Sequence, residues 1–250
     1  MKKNIIKVFC LAAILFGMGS SVNAQFRQSI FLNGALPTGK FATSASVNPL
    51  HPATGGVPLG YEQVGKDAAI GFGLGYRASY LFDVGMGEVA PYVQADVFWN
   101  MINSDWRDKY MDADFSSPNY FNVPLLAGVS YFYDELWNDI TPFGEFGVGA
   151  DFMMITREGS GVSVNGGNTY YAYKPNFAMA WMLGAGAWFG RHVSAGLYYY
   201  GLGTHPIDYT GKTLEKNATA AAQMAANELA NHGREKRTVG TLAIRVGFHF

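Results

Sequence analysis

Apolar and polar side chains alternate at every second position through several segments of this chain. The clearest segment is 241–250, where large apolar side chains occupy the even positions from Leu242 to Phe250 and small or polar ones, including Arg245 and His249, occupy the odd positions. A period of two places successive side chains on opposite faces, as in a β-strand. The segment is therefore predicted to be a strand that separates an apolar from a polar environment.

Seven further segments show the same alternation. It is clear in 70–80, 88–100 and 140–154, and weaker in 28–36, 120–133, 174–190 and 192–202. Short alternating segments separated by residues that favour turns predict an all-β protein. The expected number of strands is eight.

The connections between these segments alternate in length. Three are short, at 83–87, 134–139 and 190–191, and four are long, at 37–68, 102–118, 155–173 and 203–238. An even number of strands with alternating short and long links, and with both termini on the short-turn side, is typical of an up-and-down transmembrane barrel. We predict such a barrel rather than a β-sandwich, for which Greek-key crossings would be expected. A barrel of ten strands remains an alternative if the 37–68 connection contains a hairpin.

Aromatic residues gather near the predicted strand ends, where amphipathic rings meet the two interfaces of a membrane. Near the long connections these are Trp99, Trp106, Tyr120 and Phe121, and near the short ones Phe82, Tyr131, Phe132, Tyr133, Trp137, Phe189 and Phe250. The distribution predicts two aromatic girdles.

The composition excludes other classes of protein. Of the 250 residues, 49% are hydrophobic and 15% are charged, and 18 Lys and Arg nearly balance 19 Asp and Glu. A chain of this composition is not disordered, and it lacks the excess of positive charge that binding to nucleic acid requires. Outside the first 24 residues, no apolar run reaches the roughly 18 residues that a membrane-spanning helix needs.

The start of the chain has the pattern of a secretory signal peptide. Lysines, an apolar run over 8–18 and small residues up to Ala24 follow in the expected order. We predict a signal peptide over 1–24 and one barrel domain over 25–250. Because the single cysteine, Cys10, lies in the signal peptide, no disulfide is expected in the mature chain.

The sequence resembles a known group of barrels. Its final strand, with Phe248 and the terminal Phe250, looks like the segment that the barrel-assembly machinery of Gram-negative bacteria recognises. The stretches 33–41 (NGALPTGKF) and 122–129 (NVPLLAGV) resemble those of the small outer-membrane barrel family that includes OmpX-like, OmpA-barrel-like and PorT-like proteins. This resemblance implies an integral protein of the cell outer membrane with periplasmic termini, in contact with outer-membrane lipids and lipopolysaccharide.

Charged residues also occur on the predicted polar faces. They are Arg77, Asp96, Glu145, Asp151 and Arg245. An eight-stranded barrel has an interior just wide enough for side chains, so these charges are predicted to pair within a filled lumen. A narrow pore for ions or small solutes is the alternative.

Two of the long connections carry patterns of their own. Residues 165–168 (NGGN) tolerate positive φ and are flanked by Val162, Val164, Tyr170 and Tyr171. They predict a hairpin that projects beyond the membrane and offers a docking site for a partner. Residues 213–231 are rich in good helix formers and predict a short surface helix.

Residues of the types used by lipid-modifying barrel enzymes are also present. They are His205, Asp208, Glu158, Ser160 and Ser163, but their spacing matches no catalytic signature. The five histidines have no metal-ligand spacing, so no metal is expected, and no cofactor is predicted. A non-enzymatic protein is predicted, and an enzyme that modifies lipid A is a further alternative. We predict a protein that acts through its extracellular loops, in envelope integrity, in adhesion or as an accessory subunit of an outer-membrane assembly, with a surface or outer-membrane protein as possible partner.

Overall fold

The computed structural model describes residues 25–42, 68–102, 119–133, 139–156, 158–164, 167–190, 192–213 and 235–250. Its strands, numbered in chain order, are β1 (Gln25–Thr38), β2 (Gly71–Asp83), β3 (Gly87–Met101), β4 (Asn119–Tyr133), β5 (Ile140–Ile155), β6 (Glu158–Val164), β7 (Gly167–Tyr173), β8 (Asn176–Phe189), β9 (Val193–Ile207), β10 (Tyr209–Thr213) and β11 (Glu235–His249). Eight of them, β1 to β5 with β8, β9 and β11, form a closed barrel.

The barrel is an antiparallel meander. Each barrel strand pairs with the next one along the chain, and β11 pairs with β1 to close the wall. The predicted eight-stranded up-and-down barrel is thereby confirmed, and the sandwich alternative is wrong. No helix among the described residues is long and apolar enough to cross a membrane.

Two of the long connections meet in a second, three-stranded sheet. β6 pairs with β7, as the predicted hairpin requires, and β7 also pairs with β10 from the connection between β9 and β11. The third strand was not predicted. The helix predicted over 213–231 lies outside the described residues except for Thr213, which ends β10.

The strand ends that the short connections join lie at one end of the barrel, together with Gln25 and Phe250. We call this end the turn end and the opposite end the loop end. Gly85 takes a φ of 87° in the first short turn, and its N–H donates to Asp83 Oδ1 over 2.7 Å. Gln28 and Phe250 exchange two backbone hydrogen bonds of 2.9 and 3.0 Å. These contacts close the barrel next to the C-terminus.

The strands have two distinct faces, as the alternation predicted. In β11, Ile244 and Val246 point outward and are about half exposed or more, whereas Ala243 and Arg245 are fully buried in the lumen. The outward-facing girdle includes Tyr131, which is 39% exposed. Phe82, Tyr133, Phe189 and Phe250, from the same predicted girdle, are exposed as well.

Two aromatic residues assigned to the girdles face the lumen instead. Tyr120 is fully buried at the loop end and Phe132 is buried at the turn end. Both occupy inward positions of β4, so their place near a strand end did not determine which face they occupy. Trp106 and Trp137, and the predicted signal peptide, lie outside the described residues.

Candidate functional site

The outer surface of the barrel is an apolar belt to which all eight barrel strands contribute. Its exposed side chains include Leu32, Leu74, Val93, Leu125, Val148, Leu183, Leu197 and Val246. Met179 is 83% exposed and Leu74 is 55% exposed. A continuous exposed apolar surface of this kind is unfavourable in water and favourable against hydrocarbon.

The middle of the lumen holds a network of two arginines, two carboxylates and their polar neighbours. We call it the central network, and its buried members are Asn33, Arg77, Gln94, Asp96, Ser130, Glu145, Tyr200 and Arg245. They come from several different barrel strands, so the network ties the wall together across its interior.

The first half of the central network is built around Glu145. Arg77 grips this carboxylate with both terminal nitrogens, over 2.6 Å (Nη1 to Oε2) and 2.5 Å (Nη2 to Oε1). Ser130 Oγ donates to Glu145 Oε2 over 2.9 Å, and Arg77 Nε donates to Gln94 Oε1 over 2.8 Å. A bidentate pair of this kind is both strong and geometrically specific.

The second half of the central network is built around Asp96. Arg245 Nη2 lies 3.1 Å from Asp96 Oδ1, and Arg245 Nε donates to Asn33 Oδ1 over 2.9 Å. The Tyr200 hydroxyl accepts from Arg245 and donates to Asp96 Oδ2 over 3.0 Å. Arg245 Nη1 also lies 3.6 Å from Glu145 Oε1 and so joins the two halves.

Aromatic rings hold the guanidinium groups in place. The Cζ atom of Arg77 lies 3.9 Å from the ring centroid of Tyr92. The Cζ atom of Arg245 lies 4.1 Å from the centroid of Tyr198 and 4.3 Å from that of Phe31. These are cation–π distances. The two arginines, the two carboxylates and these rings therefore occupy the interior of the barrel together at mid-height.

Gly75 provides the space that Asp96 needs. It faces Asp96 across the β2–β3 pair, and a Cβ atom at residue 75 would lie 2.0 Å from Asp96 Oδ1. A glycine at this position lets the carboxylate lie against the wall and reach Arg245.

A second layer of side chains lies inside the barrel at the turn end. The Phe132 ring packs against Phe143 and Trp188, with centroid distances of 5.7 and 4.6 Å. The His249 ring lies 4.4 Å from Trp188. His249 also bonds the hydroxyl groups of Ser29 over 2.7 Å and Ser194 over 2.8 Å, joining β1, β9 and β11 at the barrel seam.

A β-bulge in β9 determines what faces the lumen near the loop end. Val239 pairs with Gly203 but Gly240 pairs with Gly201, so Leu202 is an extra residue in β9. Gly203 has a φ of 88°, and a Cβ atom there would lie 2.3 Å from Met179 O. Both observations explain why this position is glycine.

The bulge changes which residues of β9 face the lumen. Before it, the even-numbered Tyr198 and Tyr200 are buried; after it, the odd-numbered His205 and Ile207 are buried. Without the extra residue, the alternation would direct His205 outward. His205 was expected among loop residues at the outer rim, and the structure instead places it inside the lumen, on a strand.

His205 has three partners inside the lumen. Its Nδ1 lies 2.5 Å from Asn176 Oδ1. Its Nε2 lies 2.8 Å from Leu202 O and 3.1 Å from Asp151 Oδ2, and neither His205 nor Asp151 has an exposed side chain. This arrangement holds the segment after the bulge against β5 and β8.

The loop end is covered by the short 3-10 turn Gly39–Phe41 that follows β1. Phe41 is fully buried, and its ring packs edge-on against Tyr120 with a centroid distance of 5.2 Å. The backbone carbonyl of Phe41 accepts from Ala68 N over 3.0 Å. Together these contacts place two aromatic rings inside the barrel at the loop end.

The five charged residues predicted to face the lumen all do so, but they form two groups. Arg77, Asp96, Glu145 and Arg245 meet in the central network, whereas Asp151 lies nearer the loop end beside His205. Sequence reasoning left strand register open, so the pairings could not be predicted. The sequence also did not identify Tyr200 and Asn33 as members of the network. Their only distinguishing feature was a polar group on a predicted strand.

The residues predicted for docking and assembly lie at opposite ends of the barrel. Val162 and Val164 belong to β6, and Tyr170 and Tyr171 to β7; their side chains are outside the described part of the structure. Phe248 points outward from β11 and Phe250 follows it, each 60% exposed.

The set of possible enzymatic residues is divided between two sheets. Glu158, Ser160 and Ser163 belong to β6, whereas His205 belongs to β9 of the barrel. Among the described residues, no three His, Cys, Asp or Glu side chains are grouped so that they could hold a metal ion.

Comparisons with known proteins concern the fold. No family model matches the chain, and no curated protein is detectably similar in sequence. The structure is similar to that of a major outer membrane protein from Thermus thermophilus, with 13% identity, a TM-score of 0.45, and coverage of 90% of this chain and 100% of that one. It is also similar to Neisserial surface protein A, with 11% identity, a TM-score of 0.37, and coverage of 92% and 100%. The outer membrane protein OprG from Pseudomonas aeruginosa is similar with 13% identity, a TM-score of 0.38, and coverage of 93% and 98%.

Proposed function

We propose that this protein is an integral outer-membrane barrel with a closed lumen that acts through its extracellular loops. The apolar belt carried by all eight barrel strands is the observation on which the proposal depends. A closed barrel leaves no unpaired strand edge in the membrane, and an outward apolar face matches the hydrocarbon of the bilayer. Outer-membrane lipids and lipopolysaccharide surround this belt.

The orientation follows from the lengths of the connections. Outer-membrane barrels have short periplasmic turns and longer extracellular loops. The turn end, with both ends of the barrel domain, therefore faces the periplasm, and the sheet of β6, β7 and β10 projects outside the cell. The exposed aromatic residues Phe248 and Phe250 serve the barrel-assembly machinery during biogenesis.

The protein acts through its loop end, because side chains occupy the lumen of the barrel. Phe41 with Tyr120, the central network and the Trp188 layer fill it at three levels. The three-stranded sheet is the surface that remains for binding a surface or outer-membrane protein, in adhesion, in envelope integrity or as part of a larger assembly. No enzymatic step is included, since His205 is held inside the lumen by Asp151 and Asn176.

Insertion in a bilayer can be tested with one charge on the belt. Leu74→Arg should lower the free energy of unfolding measured in lipid vesicles by about 2–4 kcal/mol if the position lies near the bilayer centre. Thr204→Arg, on the outward face of β9 beyond the bulge, is the control and should cost less because it lies nearer the loop end. Equal losses in both variants would contradict the membrane position of the belt.

Orientation can be tested by labelling in intact cells with a maleimide that does not cross membranes. Lys212→Cys in β10 should react in intact cells. Met86→Cys, in the first short turn, should react only after the outer membrane is opened. Labelling of Met86→Cys alone in intact cells would reverse the proposed orientation.

Partner binding can be tested by deleting residues 156–172. The barrel should still fold, which a heat-dependent shift on gels would verify, and complexes cross-linked in cells should be lost. A variant that keeps the strands but replaces Val162, Val164, Tyr170 and Tyr171 by Ser separates a role of the side chains from that of the backbone. Complexes that persist in both variants would place the binding surface elsewhere.

The closed lumen can be tested by conductance across a planar bilayer. The folded protein should be silent, because the central network fills the interior. Discrete and reproducible channel steps would contradict a closed lumen and favour a narrow pore for ions or small solutes.

A further inference from the structure

Within the part of the chain that the structure describes, the loop-end part of the lumen contains buried polar atoms without a hydrogen-bond partner. They include both side-chain polar atoms of Asn122, Asn100 Oδ1 and Asp151 Oδ1. Each of these side chains belongs to a fully buried residue. Buried polar groups are almost always paired with protein, water or an ion, so a group of unpaired ones indicates that something else binds there.

The strand register brings these three residues together. Asn122 pairs with Phe98 on one side and Met153 on the other, while Asn100 pairs with Tyr120 and Asp151 with Pro124. Asn122 is thus the diagonal neighbour of Asn100 on β3 and of Asp151 on β5, with all three facing the lumen. Diagonal neighbours in an antiparallel sheet lie about 7–8 Å apart, closer at their Cβ atoms. Asn122 thus has Asn100 on one side and Asp151 on the other, and a ligand in front of Asn122 would lie between these two neighbours.

The available groups favour a positively charged ligand. Apart from Asp151 Oδ2, which lies 3.1 Å from His205 Nε2, the unpaired side-chain atoms of these three residues are three oxygens and a single N–H donor group, Asn122 Nδ2. The backbone N–H groups of Val123 and Phe152 lie near the Asp151 carboxylate, but among the described residues Asp151 Oδ1 has no hydrogen-bond partner. His205 Nε2 is shared between Asp151 and Leu202 O and leaves Asp151 Oδ1 unpaired.

We propose that Asn100, Asn122 and Asp151 bind a monovalent metal cation of the sodium type inside the barrel. Carboxylate and amide oxygens are ligands of hard cations, and water completes the coordination. A single carboxylate among neutral oxygens matches one positive charge, whereas tighter divalent sites use more charged ligands. The Asn122 N–H group donates to a water of the cation. Bound cation stabilises the fold, because the site exists only when β3, β4 and β5 are paired.

The test measures the unfolding temperature of the full protein in a non-ionic detergent by tryptophan fluorescence. Sodium chloride is compared with choline chloride at equal concentrations, so that ionic strength is the same. The unfolding temperature should rise with sodium concentration relative to choline, as expected for a ligand that binds only the folded state. No difference between the two salts would overturn the proposal and indicate that water alone occupies the site.

Two variants test whether the effect of sodium on the unfolding temperature arises at the proposed site. Asp151→Asn and Asn122→Leu should each abolish the sodium-dependent rise. Asn122→Leu should unfold in choline at the parental temperature or above it, because it removes unpaired buried polar atoms. Asn119→Leu is the matched control: Asn119 lies on the same strand, accepts from Trp99 Nε1 over 3.2 Å, and should keep the rise. A rise that persists in Asp151→Asn and Asn122→Leu would overturn the proposed site, and if one of them does not fold the other decides.

Discussion

The central network and the cluster of Asn100, Asn122, Asp151 and His205, which we call the loop-end cluster, lie in the same lumen but satisfy their buried carboxylates differently. Glu145 is gripped by both terminal nitrogens of Arg77, whereas Asp151 has a single side-chain partner among the described residues, one nitrogen of His205. An arginine presents several donors in a fixed fork, and a histidine presents at most two.

The two regions differ in how many donors surround each buried carboxylate. In the central network, Arg245 donates to Asn33 and Tyr200 while it pairs with Asp96. In the loop-end cluster, Asn122 and one oxygen of Asp151 remain unpaired within the described part of the chain. Buried carboxylates are therefore not equivalent: the supply of donors around each one decides whether the protein alone compensates its charge.

The largest expected effect comes from breaking the Arg77–Glu145 pair. Arg77→Met should lower the free energy of unfolding by about 3–5 kcal/mol, because Glu145 would be left buried with much of its charge uncompensated. The measurement is denaturant unfolding of the purified protein in lipid vesicles. Arg77→Met combined with Glu145→Leu should recover most of the loss, since the pair is replaced by apolar groups. A double variant as unstable as the single one would show that Arg77 acts through packing on Tyr92.

The sequence predicted the strands of the barrel wall better than the side-chain pairings in the lumen. Alternation over 241–250 assigned Arg245 to the inward face and Ile244 to the outward face, and the structure confirms both orientations. The pairing of Arg245 with Asp96 depends on register across several strands, which alternation within one strand does not contain.

Sequence reasoning failed where the period of two is interrupted. The extra residue Leu202 shifts the inward face of β9 and directs His205 into the lumen. The glycine at 203 was the available signal, but it stands at the start of a segment that was expected to be a loop. Tyr120 and Phe132 show a related limit, because closeness to a strand end does not identify the face.

A smaller effect is expected from filling the space beside Asp96. Gly75→Ala should lower the free energy of unfolding by about 1–3 kcal/mol, because its Cβ atom would overlap Asp96 Oδ1 and force the carboxylate away from Arg245. Denaturant unfolding in vesicles measures the change. Gly144→Ala is the matched control, since a Cβ atom there meets nothing within 4 Å. Similar losses in both variants would mean that the glycine backbone, not the space beside Asp96, matters.

The smallest effect is expected at the loop-end cluster, and it completes the comparison. Asp151→Asn should change the free energy of unfolding in choline by about 1 kcal/mol or less, because it removes one contact with His205 together with a poorly compensated charge. Glu145→Gln, the same chemical change in the central network, should cost several times more because both terminal nitrogens of Arg77 lose their anionic partner. The two variants are compared by denaturant unfolding in the same vesicles, with choline chloride as the only salt. Equal costs would mean that Asp151 is as fully compensated by protein groups as Glu145, and the contrast between the two regions would then disappear.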